Sequence, residues 1–153
     1  MSDERYTLRY MTSWDYVNAG LPTDPLQIDA ITVTPDPPKP GGEVKLTIKG
    51  TVQEAIEDGA SFDVTLKLGL IKLLQKRFDL FAELRDSSPT AGWSANPDPA
   101  GGPIKPGDLE LTVTMQLPRE VPQAKFVLNA RGYTAADDDL AGFDLRFDFM
   151  RTF

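Results

Sequence analysis

Apolar and polar residues alternate one by one in several short stretches, and this pattern constrains the fold of the chain more than any other feature. The alternation is clearest in residues 44–49, 62–70, 109–117 and 143–149. Because successive side chains of a β-strand point to opposite faces of a sheet, such stretches are typical of strands with one buried face. Segments rich in Pro, Gly and Asp separate them, as expected of turns.

These stretches, together with residues 26–33 and 126–130, predict about seven strands and no convincing amphipathic helix. The resulting fold class is all-β: an immunoglobulin-like two-sheet antiparallel β-sandwich that forms a single domain over residues 1–153. Residues 1–23 lack a clean period, and we predict that they form an N-terminal arm or an edge strand.

The segment after residue 70 departs from strict alternation. Ile71, Leu73 and Leu74 interrupt the pattern, as a bulge or a strand that changes sheets would. The strand is predicted to continue through residues 78–84, and a helix over residues 70–85 is the alternative because the leucines there also have helical spacing.

Residues 86–107 are rich in Pro and Gly and therefore predict a long surface loop. Trp93 is the one aromatic residue in this loop.

Charge and composition limit the classes of function. The chain contains 23 Asp and Glu against 16 Lys and Arg, a net charge of −7, which argues against nucleic acid as a partner. Cysteine and histidine are absent, which removes disulfides, thiolate or imidazole metal ligands and Ser-His-Asp chemistry. Since no apolar segment resembles a secretory signal or a membrane span, we expect a cytoplasmic protein without a cofactor or metal.

Three segments of the chain carry a family resemblance. They are LQIDAITVTPDPPKPGGEVKLTIKG at 26–50, EAIEDGASFDVTLKLGLIKLLQKRFDL at 54–80 and GPIKPGDLELTVTMQLPREVPQAKFVLNARGYT at 102–134. In this order and spacing they resemble the ML lipid-recognition domain family, most closely the fungal phosphatidylglycerol/phosphatidylinositol transfer proteins. The resemblance implies a sandwich whose sheets splay apart around a hydrophobic cavity, and a function in intracellular lipid binding or transfer.

The chain also departs from the family pattern. Members usually carry disulfides, but Phe81 and Gly102 stand where a conventional cysteine pair would align. The chain therefore looks like a disulfide-free variant suited to reducing cytosol. Its ligand is expected to be a phospholipid, a sterol or a similar apolar molecule.

The inward members of the strands are the predicted cavity wall, and they are Val64, Leu66, Leu68, Leu111, Val113, Phe126, Leu128, Phe147 and Phe149. The predicted mouth combines apolar residues with cations that would meet lipid head groups in a transient membrane contact; these residues are Ile71, Leu73, Leu74 and Phe78 with Lys72, Lys76 and Arg77. Trp93 is predicted to be a lid or an interface anchor. Ordinary core packing and a charge-protected edge strand are the alternatives for these residues.

Two further functions stay open at the level of sequence. A small cavity enzyme, such as an isomerase or cyclase of terpenoids or polyketides, would use a carboxylate or Tyr133 as its proton donor. A protein-interaction sandwich would instead have a dense core. Residues 137–139, three consecutive Asp, lack calcium-loop spacing and predict a solvated turn.

Overall fold

The computed structural model describes residues 14–36, 38–86, 92–99, 101–122 and 124–149. These residues form two antiparallel sheets and one short helix, which confirms the predicted all-β sandwich. With strands numbered in chain order, the larger sheet contains β1 (Trp14–Asn18), β9 (Asp139–Asp148), β8 (Lys125–Tyr133), β4 (Ser61–Leu68) and β5 (Ile71–Asp79). The smaller sheet contains β2 (Leu26–Thr34), β3 (Glu43–Val52), β7 (Gly107–Gln116) and β6 (Trp93–Asn96).

Strand β3 shows how the period of the sequence produces a buried face. Val44, Leu46 and Ile48 are buried, whereas Lys45 and Lys49 are exposed. β3 pairs with β2 along one side and with β7 along the other, so its apolar face lies at the middle of the smaller sheet. The alternation in the sequence of this strand therefore places its apolar side chains inside the sandwich and its lysines outside.

One end of the sandwich is packed solidly. Val52 at the end of β3, Leu109 near the start of β7 and Leu140 near the start of β9 are all buried there. Ile56 and Ile104, both buried, form an isolated antiparallel bridge with two N–H···O=C hydrogen bonds of 2.9 Å. This bridge ties the chain after β3 to the chain before β7.

The helix α1 (Leu80–Arg85) contradicts the prediction that the strand continues through residues 78–84. Asp79 is its N-cap, because its Oδ1 accepts a hydrogen bond of 3.1 Å from the backbone N–H of Ala82. Leu80 and Phe81, in the first turn of the helix, are both buried and anchor it in the core. No helix in the described ranges is long and apolar enough to cross a bilayer.

The alternative helix over residues 70–85 is correct only for its last six residues, because Ile71–Asp79 form the edge strand β5. The register between β4 and β5 shifts at one point: Leu66 lies opposite Leu74, and the next residue, Lys67, lies opposite Lys72. Leu73 is thus an extra residue, and the interruption predicted in this segment is a β-bulge.

The predicted surface loop over residues 86–107 is wrong in part. Within it, Trp93–Asn96 form the edge strand β6, which pairs with β7 through Trp93 opposite Val113. Ile104 in the same segment is 3% exposed and belongs to the core. The sequence predicts neither strand β6 nor the burial of Ile104, because the apolar residues of this segment are few and stand among Pro and Gly residues.

Strand β1 lies at the other edge of the larger sheet, paired with β9. On this edge Arg146 Nε lies 2.7 Å from Asp15 Oδ1 and Arg146 Nη2 lies 3.1 Å from Asp15 Oδ2. Within the predicted arm or edge strand over residues 1–23, Trp14–Asn18 thus form an edge strand, and residues 1–13 lie outside the described residues.

Candidate functional site

A cavity of about 540 Å³ lies between the two sheets. It occupies the half of the sandwich opposite the packed end, where β3 and β8 begin and β4 and β7 end. Among the described residues that line it, Thr114 and Glu120 are the only polar ones. A space with such walls offers water few hydrogen-bond partners and is suited to an apolar guest.

The larger sheet supplies one wall through inward residues of four strands, which are Phe62, Val64, Leu66, Leu73, Leu74, Phe78, Phe126, Leu128, Ala130, Phe143 and Phe147, with Phe149 following β9. The smaller sheet supplies the other wall, which is formed by Val44, Leu46, Ile48, Trp93, Leu111, Val113, Thr114 and Met115. The cavity is only partly enclosed, so a guest can reach it from outside.

The structure brings together most of the side chains that the sequence predicted for the wall and the mouth. Among the apolar ones, Leu68 and Ile71 are the exceptions, because they lie opposite each other beside the hairpin turn and outside the lining; the predicted cations Lys72, Lys76 and Arg77 also lie outside it. Alternation predicted the face on which Leu68 lies but carries no information on how far along the strand the cavity extends.

Sequence reasoning missed two continuous parts of the lining, and also Pro38, Phe62, Thr114, Met115, Ala130 and Phe143. One is the inward face of β3, at Val44, Leu46 and Ile48. The alternation there predicts a buried strand face but does not indicate that this face borders a cavity. The other is the β7–β8 connection, where residues 117, 118 and 120–122 border the cavity. Leu117, the last apolar residue of the alternating stretch 109–117, and Val121 are the available signal.

Three phenylalanines form a cluster in the wall near the start of β8. The rings of Phe126 and Phe149 meet edge to face with centroids 5.7 Å apart, and those of Phe147 and Phe149 stack at 6.1 Å. Phe126 and Phe147 are also register partners across β8 and β9. Such rings provide a large apolar surface with defined orientation.

The rim of the cavity lies along β5. Leu73 and Leu74 both line the cavity, yet they are 51% and 48% exposed. The bulge explains how two consecutive residues of one strand reach the same space. Lys76 lies opposite the cavity residue Val64, and its Nζ is 4.9 Å from the ring centroid of Phe78. Lys76 therefore places a positive charge beside the rim.

Arg77 and Lys72, the other two predicted head-group cations, lie on the outer face of the larger sheet. Arg77 donates hydrogen bonds of 2.7 and 3.2 Å to the two carboxylate oxygens of Asp63, and its guanidinium lies 5.7 Å from the Tyr133 ring. The hydrogen bond from Arg77 lowers the pKa of Asp63 and outweighs the opposing effect of burial. Lys72 shares this face with its register partner Lys67.

Of the groups considered for chemistry, Tyr133 and the Asp residues at 137–139 lie away from the cavity, and Glu120 is the carboxylate among its described lining residues. Tyr133 is at the end of β8 beside Arg77 and does not contribute to the lining. The three Asp at 137–139 are exposed in a turn in which the Thr134 N–H donates to the Asp138 carbonyl and the Asp137 N–H donates to the Thr134 carbonyl, both at 2.8 Å. In the described ranges, no three carboxylates converge on a common point.

Comparisons with known proteins agree with this geometry. The chain is 46% identical to the phosphatidylglycerol/phosphatidylinositol transfer protein of Cryptococcus neoformans var. neoformans serotype D, over 94% of this chain and 75% of that protein. It is 35% identical to the protein of the same name from Mycosarcoma maydis, over 89% of this chain and 66% of that protein.

Solved structures share the fold at low identity. A Niemann-Pick type C2 protein from the Japanese carpenter ant superposes with a TM-score of 0.61 at 12% identity, covering 86% of this chain and 96% of that one. Chicken MD-1 complexed with lipid IVa superposes with a TM-score of 0.54 at 16% identity, covering 88% of this chain and 97% of that one. The ML domain family matches residues 18–149. The chain therefore belongs to the ML domain family.

Proposed function

We propose that this protein binds a lipid between its two sheets and transfers it between membranes. The observation that carries the proposal is the cavity of about 540 Å³, whose lining is apolar except at Thr114 and Glu120. The relatives from Cryptococcus neoformans and Mycosarcoma maydis are named as phosphatidylglycerol/phosphatidylinositol transfer proteins, which supports a phospholipid as the guest. A protein-interaction sandwich would have a dense core instead.

The hydrophobic effect supplies enough free energy for a carrier. Each methylene group that leaves water for an apolar site contributes about 0.8 kcal/mol, so ten methylenes of an acyl chain contribute about 8 kcal/mol before ordering costs. Since hydrophobic contact is not directional, the cavity would accept acyl chains, a sterol or similar molecules. Selection of one lipid class therefore depends on the rim.

At the rim, Lys76 is the cation that suits an anionic head group. It lies on the cavity side of β5 next to Leu74 and Phe78, whereas Arg77 is engaged with Asp63 on the opposite face. In this arrangement the acyl chains enter the cavity and the phosphate stays at the solvent boundary. Loading and release would then occur during a transient contact with a membrane surface. The cytoplasmic location stays a prediction.

Lipid extraction from the purified protein tests the proposal. Native mass spectrometry should show a bound lipid in the wild type, and Val113→Trp should reduce its occupancy because the indole fills space between the walls. Val17→Trp is the matched control, since Val17 is 46% exposed on β1 and does not line the cavity.

Leu66→Trp provides a second filling variant on the opposite wall. Circular dichroism and thermal unfolding verify that each variant is folded. A wild type free of lipid that also fails to take up phosphatidylglycerol from vesicles would contradict the carrier proposal.

A further inference from the structure

The hairpin that joins β4 and β5 ends in a cluster of exposed apolar side chains. Leu70 is fully exposed, Ile71 is 63% exposed, and Leu73 and Leu74 are about half exposed. We name these four residues the hairpin tip. Outside the tip, the large apolar residues exposed in the described ranges are Val17 and Leu21, which are remote in sequence. Four such residues within five positions mark an interaction surface.

The turn itself projects away from the body of the protein. Gly69 has a positive φ of 59°, a conformation that glycine adopts without strain, and beyond its two chain neighbours no residue lies within 4 Å of the position that a Cβ would occupy. The next residue, Leu70, makes no contact that hides it from solvent. The sequence thus places its most exposed leucine at the most prominent point of the hairpin.

The charge around the tip has the opposite sign to the charge of the whole chain. Residues 64–78 contain Lys67, Lys72, Lys76 and Arg77 and no carboxylate. Arg77 is neutralised by its pair with Asp63, so the three lysines carry the charge of the hairpin; removing them from the net charge of −7 leaves −10 on the rest of the chain. A negative surface would therefore attract this hairpin and repel the remainder, which orients the molecule before contact.

We infer that the hairpin tip docks on the surface of an anionic lipid bilayer. The inference rests on the proposed carrier function and names the surface through which the carrier meets its membrane. Leu70 and Ile71 would enter the region between head groups and acyl chains, while Lys67 and Lys72 on the outer face of the hairpin would lie at the level of the phosphates.

Continuity with the cavity supports a bilayer as the occupant. Leu73 and Leu74 belong both to the tip and to the cavity lining, so the tip and the cavity share two apolar residues. A lipid that leaves the bilayer along this surface keeps its acyl chains out of water. A second copy of the chain fits less well, because two such hairpins would bring three lysines against three.

Vesicle flotation tests the inference with a variant that leaves the cavity intact. Leu70→Ser/Ile71→Ser removes the apolar tip at two positions that do not line the cavity. Binding to phosphatidylcholine vesicles that contain phosphatidylglycerol should fall at least about tenfold. The matched control is Val17→Ser/Leu21→Ser, which removes two exposed apolar residues elsewhere and should bind as the wild type does.

Charge reversal tests the electrostatic part. Lys72→Glu should weaken binding to the anionic vesicles at least about fivefold, whereas Lys105→Glu, an exposed lysine outside the hairpin, should have a much smaller effect. Wild-type binding should also decrease as salt rises and be weak on pure phosphatidylcholine.

The outcomes separate docking from lipid carriage. Loss of vesicle binding in the tip variant, with the same lipid still bound in native mass spectra, supports docking. Equal flotation of the tip variant and the wild type would overturn it, as would equal binding to neutral vesicles. A wild-type dimer that the tip variant converts to a monomer, with vesicle binding unchanged, would assign the tip to a second copy. Failure of the carrier proposal appears separately, as a wild type that holds no lipid.

Discussion

The rings of Phe78 and Trp93 contact each other across the two sheets, with centroids 5.4 Å apart and planes inclined by 39°. Phe78 belongs to β5 and Trp93 to β6, which are edge strands of different sheets. Both rings line the cavity. This contact therefore closes one side of the sandwich, and the indole of Trp93 faces the space that a bound lipid would occupy.

The position of Trp93 predicts which of the two tryptophans senses a lipid. A phospholipid brominated along its acyl chain should quench the fluorescence of Trp14→Phe, in which Trp93 is the remaining tryptophan. It should quench Trp93→Phe far less, because Trp14 is on β1 at the opposite edge of the larger sheet and outside the cavity lining. Equal quenching of the two variants would contradict the location of the guest.

The cavity predicts an unequal cost for two leucine truncations. Leu140→Ala should lower the free energy of unfolding by about 3–5 kcal/mol, because Leu140 is fully buried in the packed end and its removal creates a void. Leu128→Ala should cost about 1–2 kcal/mol, since Leu128 already borders open space and loses fewer contacts. Urea unfolding of the lipid-free variants measures both values, and a larger cost at Leu128 would oppose the proposed wall.

Asp144 predicts a pH dependence of stability. Its carboxylate accepts hydrogen bonds from Asn129 Nδ2 at 2.6 Å and from Arg131 Nη1 at 2.9 Å. Burial raises the pKa of Asp144, but the hydrogen bonds from Arg131 and Asn129 outweigh it, so the pKa lies below its ordinary value of 3.8. The stabilisation is therefore complete above the unfolded pKa of 3.8 and is lost as the pH falls through the lower folded pKa.

Asp144→Asn should accordingly lower the free energy of unfolding by about 1 kcal/mol at neutral pH, because the pair with Arg131 is partly exposed. The difference from the wild type should shrink toward zero as urea titrations move below the ordinary carboxyl pKa. Asp15→Asn, in the more exposed pair with Arg146, should cost less than about 0.5 kcal/mol. A difference at Asp144 that persists into acid would refute this assignment.

The N-cap of α1 predicts a small and specific loss of stability. Asp79→Ala should cost about 1 kcal/mol, since the backbone N–H of Ala82 loses its acceptor. Asp79→Asn should retain most of the stability because an asparagine side chain caps a helix equally well. Thermal unfolding distinguishes the two variants; equal losses would show that charge, and not the cap, matters at this position.

The main strands and the two-sheet fold were predictable from sequence because their period of two is strong. Val44 to Ile48 and Phe62 to Leu66 alternate without interruption. Burial follows the alternation in the first stretch. In the second, the inward residues Val64 and Leu66 are only half-buried because they border the cavity. The boundary at Asp79 was less visible, since the leucines on both sides are equally apolar. At this boundary the hydrogen bond from the Ala82 N–H to the Asp79 side chain favours a helix, although the apolar pattern continues.

The sequence predicted which strand faces point toward the cavity, but not how far the cavity extends along the strands. Alternation identified Leu66 and Leu68 as members of one face, yet only Leu66 lines the cavity. The limits of the cavity depend on the separation of the sheets and on the β7–β8 connection, which are properties of tertiary packing. Similarly, Arg77 and Lys76 are adjacent in sequence, and strand geometry sends them to opposite faces.

The extra residue at Leu73 also affects how the free side of β5 meets other chains. A regular edge strand of nine residues offers an uninterrupted row of backbone donors and acceptors, which is a template for stacking into fibrils. The bulge breaks this row and increases the local twist, so an incoming strand cannot match it over its full length. The same insertion that turns two leucines toward the interior thus protects an apolar edge against uncontrolled assembly.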